Sequence, residues 1–184
     1  MERLPAQGLF LDLLVDVQRP DRLMKHYDVE NYLTPLAGRL GWQRFVMAVG
    51  RKRVGGGSRL SVGIARASPP ESRKFVTAVV DAGSGSTTGQ WKSRLRDSVA
   101  ALEMPMLPPG PVALELSWRC SPALNWVALW KPTGDAMGSI LGEPDSRNPF
   151  NVADDRIVSL TLHRDIDPAM GRGVHVGFFL PRSR

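Results

Sequence analysis

The chain has 184 residues, 42% of them hydrophobic and 23% charged, enough to bury a core without staples, as one domain or two joined halves. A single cysteine, Cys120, excludes an internal disulfide and fits a reducing compartment, and no apolar run is long enough to span a bilayer as a helix. With 24 Lys and Arg against 18 Asp and Glu the net charge is +6, a surface that attracts polyanions, nucleic acid foremost.

The opening residues, Met1-Glu2-Arg3-Leu4-Pro5, lack a signal-peptide pattern, so a cytoplasmic protein with no membrane partner is expected. From Leu9 to Val17 apolar residues alternate with Asp12 and Asp16, which predicts a half-buried strand. Asp28 then stands where it can cap a helix whose apolar positions Val29, Tyr32, Leu33, Leu36, Ala37 and Leu40 follow a helical period. Pro35 predicts a kink or a late start, and Gly41 the end. Arg44 to Lys52 and Arg59 to Arg66 read as strands joined across Gly55-Gly56-Gly57 into a hairpin with Arg51, Lys52, Arg53 and Arg59 near its tip.

Phe75 to Val80 reads as a strand, Gly83 to Gly89 as a turn, and Thr88 as the cap of a helix with Trp91, Leu95, Val99 and Leu102 on one face. Lys92, Arg94 and Arg96 lie elsewhere on that helix, and the prolines from 105 to 111 form a linker. Val112 to Arg119 is an alternating strand with Cys120 just beyond it, read as a small buried hydrophobe. A helix from Pro132 to Gly142, an irregular loop to Ala153, and strands Ile157 to Arg164 and Val174 to Leu180 follow, before a basic tail.

The two ends match as strand, helix, strand, turn, strand. The expected fold is therefore α/β (α+β), with two related β-α-β-β halves at 1–66 and 112–184 in mixed sheet. An inserted strand, helix and Pro-rich linker occupy 67–111. Trp126 and Trp130, four apart, read as core rather than as base-stacking platforms, and His26, His163 and His175 have no ligand spacing. Val79 to Thr87 resembles the first phosphate-binding loop of the actin-like ATPases, but 184 residues cannot build that fold's two lobes.

The adjacent carboxylates of Asp154 and Asp155, opening a basic strand, repel each other unless water or a cation offsets the charge. Lys131-Pro132-Thr133-Gly134-Asp135-Ala136-Met137 and Asp154-Asp155-Arg156-Ile157-Val158-Ser159-Leu160 resemble motifs of the RusA-type Holliday junction resolvases. Asp28-Val29-Glu30-Asn31 resembles that family's Asp-x-Asp-Asn, with Glu in the second acidic place. The resemblance implies a metal-dependent endonuclease on branched DNA, normally a homodimer. Asp28, Glu30, Asp154 and Asp155 would hold Mg²⁺ (Mn²⁺ as the alternative), Lys131 would steady the scissile phosphate, and Asn31 and Asp135 would lie behind them.

Arg51, Lys52, Arg53, Arg59, Arg156 and Arg164 are the expected contacts to DNA phosphates. Neither half holds a full set. Asn125 and Val127 stand at the first acidic places of the second half, Thr34 stands at the lysine place of the first, and Trp42-Gln43-Arg44 replaces its later aspartates. Catalysis then requires Asp28 and Glu30 to meet Asp154 and Asp155 across the halves or across a dimer. The alternative is a catalytically inactive nucleic-acid-binding or scaffolding protein on the same fold.

Overall fold

Period-two alternation becomes strand wherever one side can be buried. A computed structural model describes residues 7–25, 28–66, 76–84, 89–143, 148 and 150–180, with residues 7, 66, 76–84, 89–90 and 180 described by backbone alone. The strands are β1 (Gln7–Asp16), β2 (Phe45–Arg53), β3 (Arg59–Arg66), β4 (Val76–Ser84), β5 (Val112–Cys120), β6 (Ile157–Ile166) and β7 (Gly173–Leu180). They form one seven-stranded mixed sheet in the order β3-β1-β2-β6-β5-β7-β4. Helices α1 (Val29–Leu40), α2 (Gly89–Ala100), α3 (Trp130–Asp135) and α4 (Gly138–Leu141) bury their apolar residues with one side of it. Leu11, Leu13, Ala48, Leu114, Leu116, Leu160 and Leu162 meet Val29, Leu33, Trp91, Leu95 and Val99 in a single core. The other side carries ion pairs between neighbouring strands, Arg51–Asp12 and Arg119–Asp165.

The halves repeat. β1 runs parallel to β2 and antiparallel to β3, as β5 runs parallel to β6 and antiparallel to β7. Both parallel pairs slip register at the same place, after Leu9↔Phe45 in the first and after Val112↔Ile157 in the second. The slip aligns Phe45 with Ile157 and therefore Lys52 with Arg164. β2 and β6 join the halves as an antiparallel pair, so the six strands read the same from either end. The insert adds β4 to the far edge, beside β7, with α2 packed against it.

The expected β2–β3 hairpin does not form. β1 lies between the two strands and pairs with both. The segment after Arg53 must therefore cross the end of β1, and Gly55, Gly56 and Gly57 all take φ between 74° and 90°, a region that glycine enters without strain. Asp16, at that end of β1, accepts the backbone N–H of Gly55 at 2.9 Å and of Gly57 at 2.8 Å. β4 runs past Val80 to Ser84, with a register shift between Asp81 and Ser84, so Gly83 and Ser84 of the expected turn belong to the strand. The rest of the actin-like loop, the Thr88 cap, His26 and the tail lie outside the described residues.

α1 runs through Pro35 and ends at Gly41, where φ is 85°. It lies close on β2, where a Cβ on Gly50 would collide with Val29 Cγ1 and Leu33 Cδ1. The helix expected to start at Pro132 starts at Trp130 instead, leaving Pro132 in the first turn, and breaks between Asp135 and Gly138 into α3 and α4. Trp126 and Trp130 are core residues, edge to face at 4.9 Å, and Cys120 is buried.

Candidate metal centre

Because β2 and β6 are antiparallel neighbours, the end of β2 lies beside the turn Asp154–Arg156 that opens β6. The close approach at Gly50 lays the first turn of α1 over that point, and α3 reaches it from the second half. Oxygens of Asp28, Glu30 and Asp154 come within 4.8 Å of one another, an arrangement able to hold a metal ion. Asp28 does not cap its helix. Its Oδ2 accepts Asn31 Nδ2 at 3.2 Å and faces Lys131, 103 positions away in sequence, at 3.4 Å.

The Lys131 ammonium sits among the carboxylates, 2.6 Å from Asp154 Oδ2, 3.0 Å from Asp135 Oδ1 and 3.5 Å from Glu30 Oε1. At an effective dielectric near 20, like charges about 5 Å apart repel by about 3 kcal/mol a pair, so a cation here holds the group together. Burial, helped by the neighbouring Asp28 charge and opposed by Lys131, pushes the Glu30 carboxyl up to about 7. Burial also raises Asp154, although Lys131 opposes the shift. Burial alone would lower Lys131, but Asp154 and Glu30 outweigh it and hold the ammonium above its ordinary value.

Beneath the acids lies a cavity of about 10 Å³, lined by Glu30, Asp154 and Trp130 together with Leu114, Leu116 and Leu160. That is close to the room one water needs. Glu30 Oε1 and Trp130 Nε1 are buried without a hydrogen bond, Glu30 Oε1 having the Lys131 ammonium at 3.5 Å. An oxygen-rich set of this kind fits a hard divalent cation.

Lys52 is buried behind the cluster, and its Nζ donates to the Asp155 carbonyl at 2.8 Å, clipping the turn that presents Asp154. Burial lowers its pKa, although Asp28, Asp155 and Glu30 pull the other way. Lys52 was expected on DNA phosphate and is instead internal. The signal was present in the sequence, because alternation sets it on the same side as Ala48 and Gly50. The Asp155 carboxylate does not join the ligand group, whose members are Asp28, Glu30 and Asp154.

Other expected phosphate contacts are committed elsewhere. Arg164 is buried, donating to the carbonyls of Pro122 (2.8 Å), Ser121 (3.4 Å), Leu124 (3.4 Å) and Gln43 (3.5 Å), with its guanidinium carbon 5.3 Å from the Trp42 ring centroid. Arg156 donates to the carbonyls of Leu141, Gly110 and Pro108. Arg51 grips both oxygens of Asp12 at 2.7 Å. The buried Arg164 and the half-buried Arg156 satisfy their donors at carbonyls inside the protein, whereas Arg51 stays exposed on the other side of the sheet. Arg53 and Arg59 are exposed.

The slip that aligns Lys52 with Arg164 aligns Asp154 with Trp42. At that opposite end of the β2–β6 pair, Trp126 Nε1 donates to the Trp42 carbonyl at 3.3 Å beside Arg164. The second half's counterpart is thus filled by aromatic rings and a guanidinium.

No described helix is long and apolar enough to cross a membrane. Comparison of the chain with models of protein families, with curated proteins and with solved structures gives no significant match.

Proposed function

We propose that this protein is a metal-dependent endonuclease of RusA-like type that hydrolyses phosphodiesters in branched DNA. The supporting observation is the convergence of Asp28 and Glu30 from the first half with Asp154 and Lys131 from the second. This is the meeting across halves that the incomplete motifs require. Asp28, Glu30 and Asp154 would hold Mg²⁺ or Mn²⁺. When bound, the ion supplies positive charge to the phosphate oxygens and lowers the cost of deprotonating water. Lys131, 44% exposed at the mouth of the group, exchanges a carboxylate partner for a non-bridging phosphate oxygen. Asn31 orients Asp28, Asp135 restrains Lys131, and Lys52 fixes the Asp154 turn.

One observation favours a second reading. Lys131 already offsets the carboxylates without any metal, as expected of a nucleic-acid-binding relative that no longer cuts. A labelled four-way junction incubated with Mg²⁺ separates the two. Metal-dependent cutting that Asp154→Asn lowers by about a hundredfold or more supports the nuclease. Retarded mobility with no nick at any metal concentration supports the relative.

A further inference from the structure

We infer that the inserted helix α2 provides the nucleic-acid track beside the metal centre, through Lys92 and Arg96 held by Phe150. The inference deepens the reading above and rests on the centre acting at a phosphodiester backbone.

A chain of contacts leads out of the acidic group. Lys131 meets Asp135 Oδ1 at 3.0 Å, and the other oxygen of Asp135 meets Lys92 Nζ at 3.1 Å. Lys92 in turn sits 4.1 Å from the centroid of the Phe150 ring, and Arg96 approaches the same ring at 5.3 Å. Lys92 and Arg96 are one helical turn apart on the flank of α2 that faces α3, while the exposed Arg94 points to the other flank. Their side chains remain 24% and 31% exposed.

Two like charges gathered at one ring are costly unless an anion comes to them. Their own acids hold one each, Asp97 by an exposed pair that a phosphate can displace and Asp135 by a partly buried one that it shares with Lys131. The need for them is electrostatic. The carboxylates of Asp28, Glu30, Asp135 and Asp154 outnumber Lys131 and Lys52 at the centre and a divalent ion would only balance them, so the phosphates of a polyanion need cations beside it. Arg156 and Arg164 cannot supply them, being bound to internal carbonyls, and Arg51 pairs with Asp12 on the other side of the sheet. Lys92 is linked to the group through Asp135 and Arg96 shares its ring, and both come from the inserted segment that lies outside the repeated strand pattern.

The test uses the full chain and a fluorescein-labelled four-way DNA junction, with binding followed by anisotropy over a series of salt concentrations. For Lys92→Ala/Arg96→Ala the expected result is at least tenfold weaker binding, with the slope of log K against log salt reduced by about two. Phe150→Leu, which removes the ring and keeps apolar bulk, is expected to weaken binding by a smaller factor. Arg94→Ala is expected to leave it unchanged. Mn²⁺ uptake by the double variant should equal that of the wild type.

An unchanged affinity and slope in the double variant, or an equal loss in Arg94→Ala, overturns the inference while leaving the metal centre standing. Wild type that takes up Mn²⁺ yet binds no DNA at low salt overturns it too. Wild type whose binding depends on Lys92 and Arg96 but which never cuts sustains the track and removes the nuclease.

Discussion

Lys131 and Arg164 are both cations among oxygens, and their surroundings give them opposite consequences. Lys131 faces carboxylates at the mouth of the group, so Lys131→Met leaves like charges unscreened. Allowing for its partial exposure, the expected loss is about 1–2 kcal/mol in chelator, largely recovered in millimolar Mg²⁺. Thermal melts with and without metal read it directly; equal melts in both conditions would count against the centre. Arg164 faces neutral carbonyls in the core. Arg164→Met is expected to cost roughly 3 kcal/mol in urea unfolding, and Arg164→Lys to recover little, since one ammonium cannot fan out to four acceptors. Neither Arg164 variant should change the salt slope of DNA binding.

At the scale of elements, the centre depends on how closely α1 lies on β2. Gly50→Ala puts a methyl group against Val29 and Leu33. Overpacking of this kind costs about 1–3 kcal/mol, and lifting the helix start should also weaken Mn²⁺ binding, measurable by calorimetry on the folded variant. The glycine crossing after Arg53 offers a separate test. Backbone N–H groups of Gln18, Gly57 and Gly55 hold the Asp16 carboxyl below its ordinary value. A carboxyl depressed in the folded state stabilises above its unfolded pKa, and the contribution fades as pH falls through the folded value. The Tm gap between wild type and Asp16→Ala should therefore be constant near neutrality and shrink below about pH 4. A gap that persists in acid would mean the clamp acts through something other than the ionised carboxylate.

For the whole molecule, the strand topology repeats while the chemistry does not. The register slip recurs in both halves, yet one end of the β2–β6 pair gathers carboxylates and the other packs Trp42, Trp126 and Arg164. Mn²⁺ titration followed by electron paramagnetic resonance should find one locus per chain, lost in Asp154→Asn. Two equal loci would show that the filled end also binds.

The sequence by itself determined the strands and the helix after Asp28. Each of these is written in local periodicity, and burial on one side of a sheet enforces it. Asp28, Glu30 and Lys131 are picked out by the resemblance to the RusA-type motifs, and Asp154 by the repulsion expected of two adjacent acids. Only the tertiary structure decided that these residues meet, that Asp155 stays out, and that Lys52, Arg156 and Arg164 turn inward. It also decided that β1 separates β2 from β3, and that Lys92, Arg96 and Phe150 stand beside the centre. A charge in a linear sequence has no partner until the fold supplies one. Whether a basic side chain seeks solvent phosphate or an internal carbonyl depends on which strand ends and helix starts the sheet order brings together.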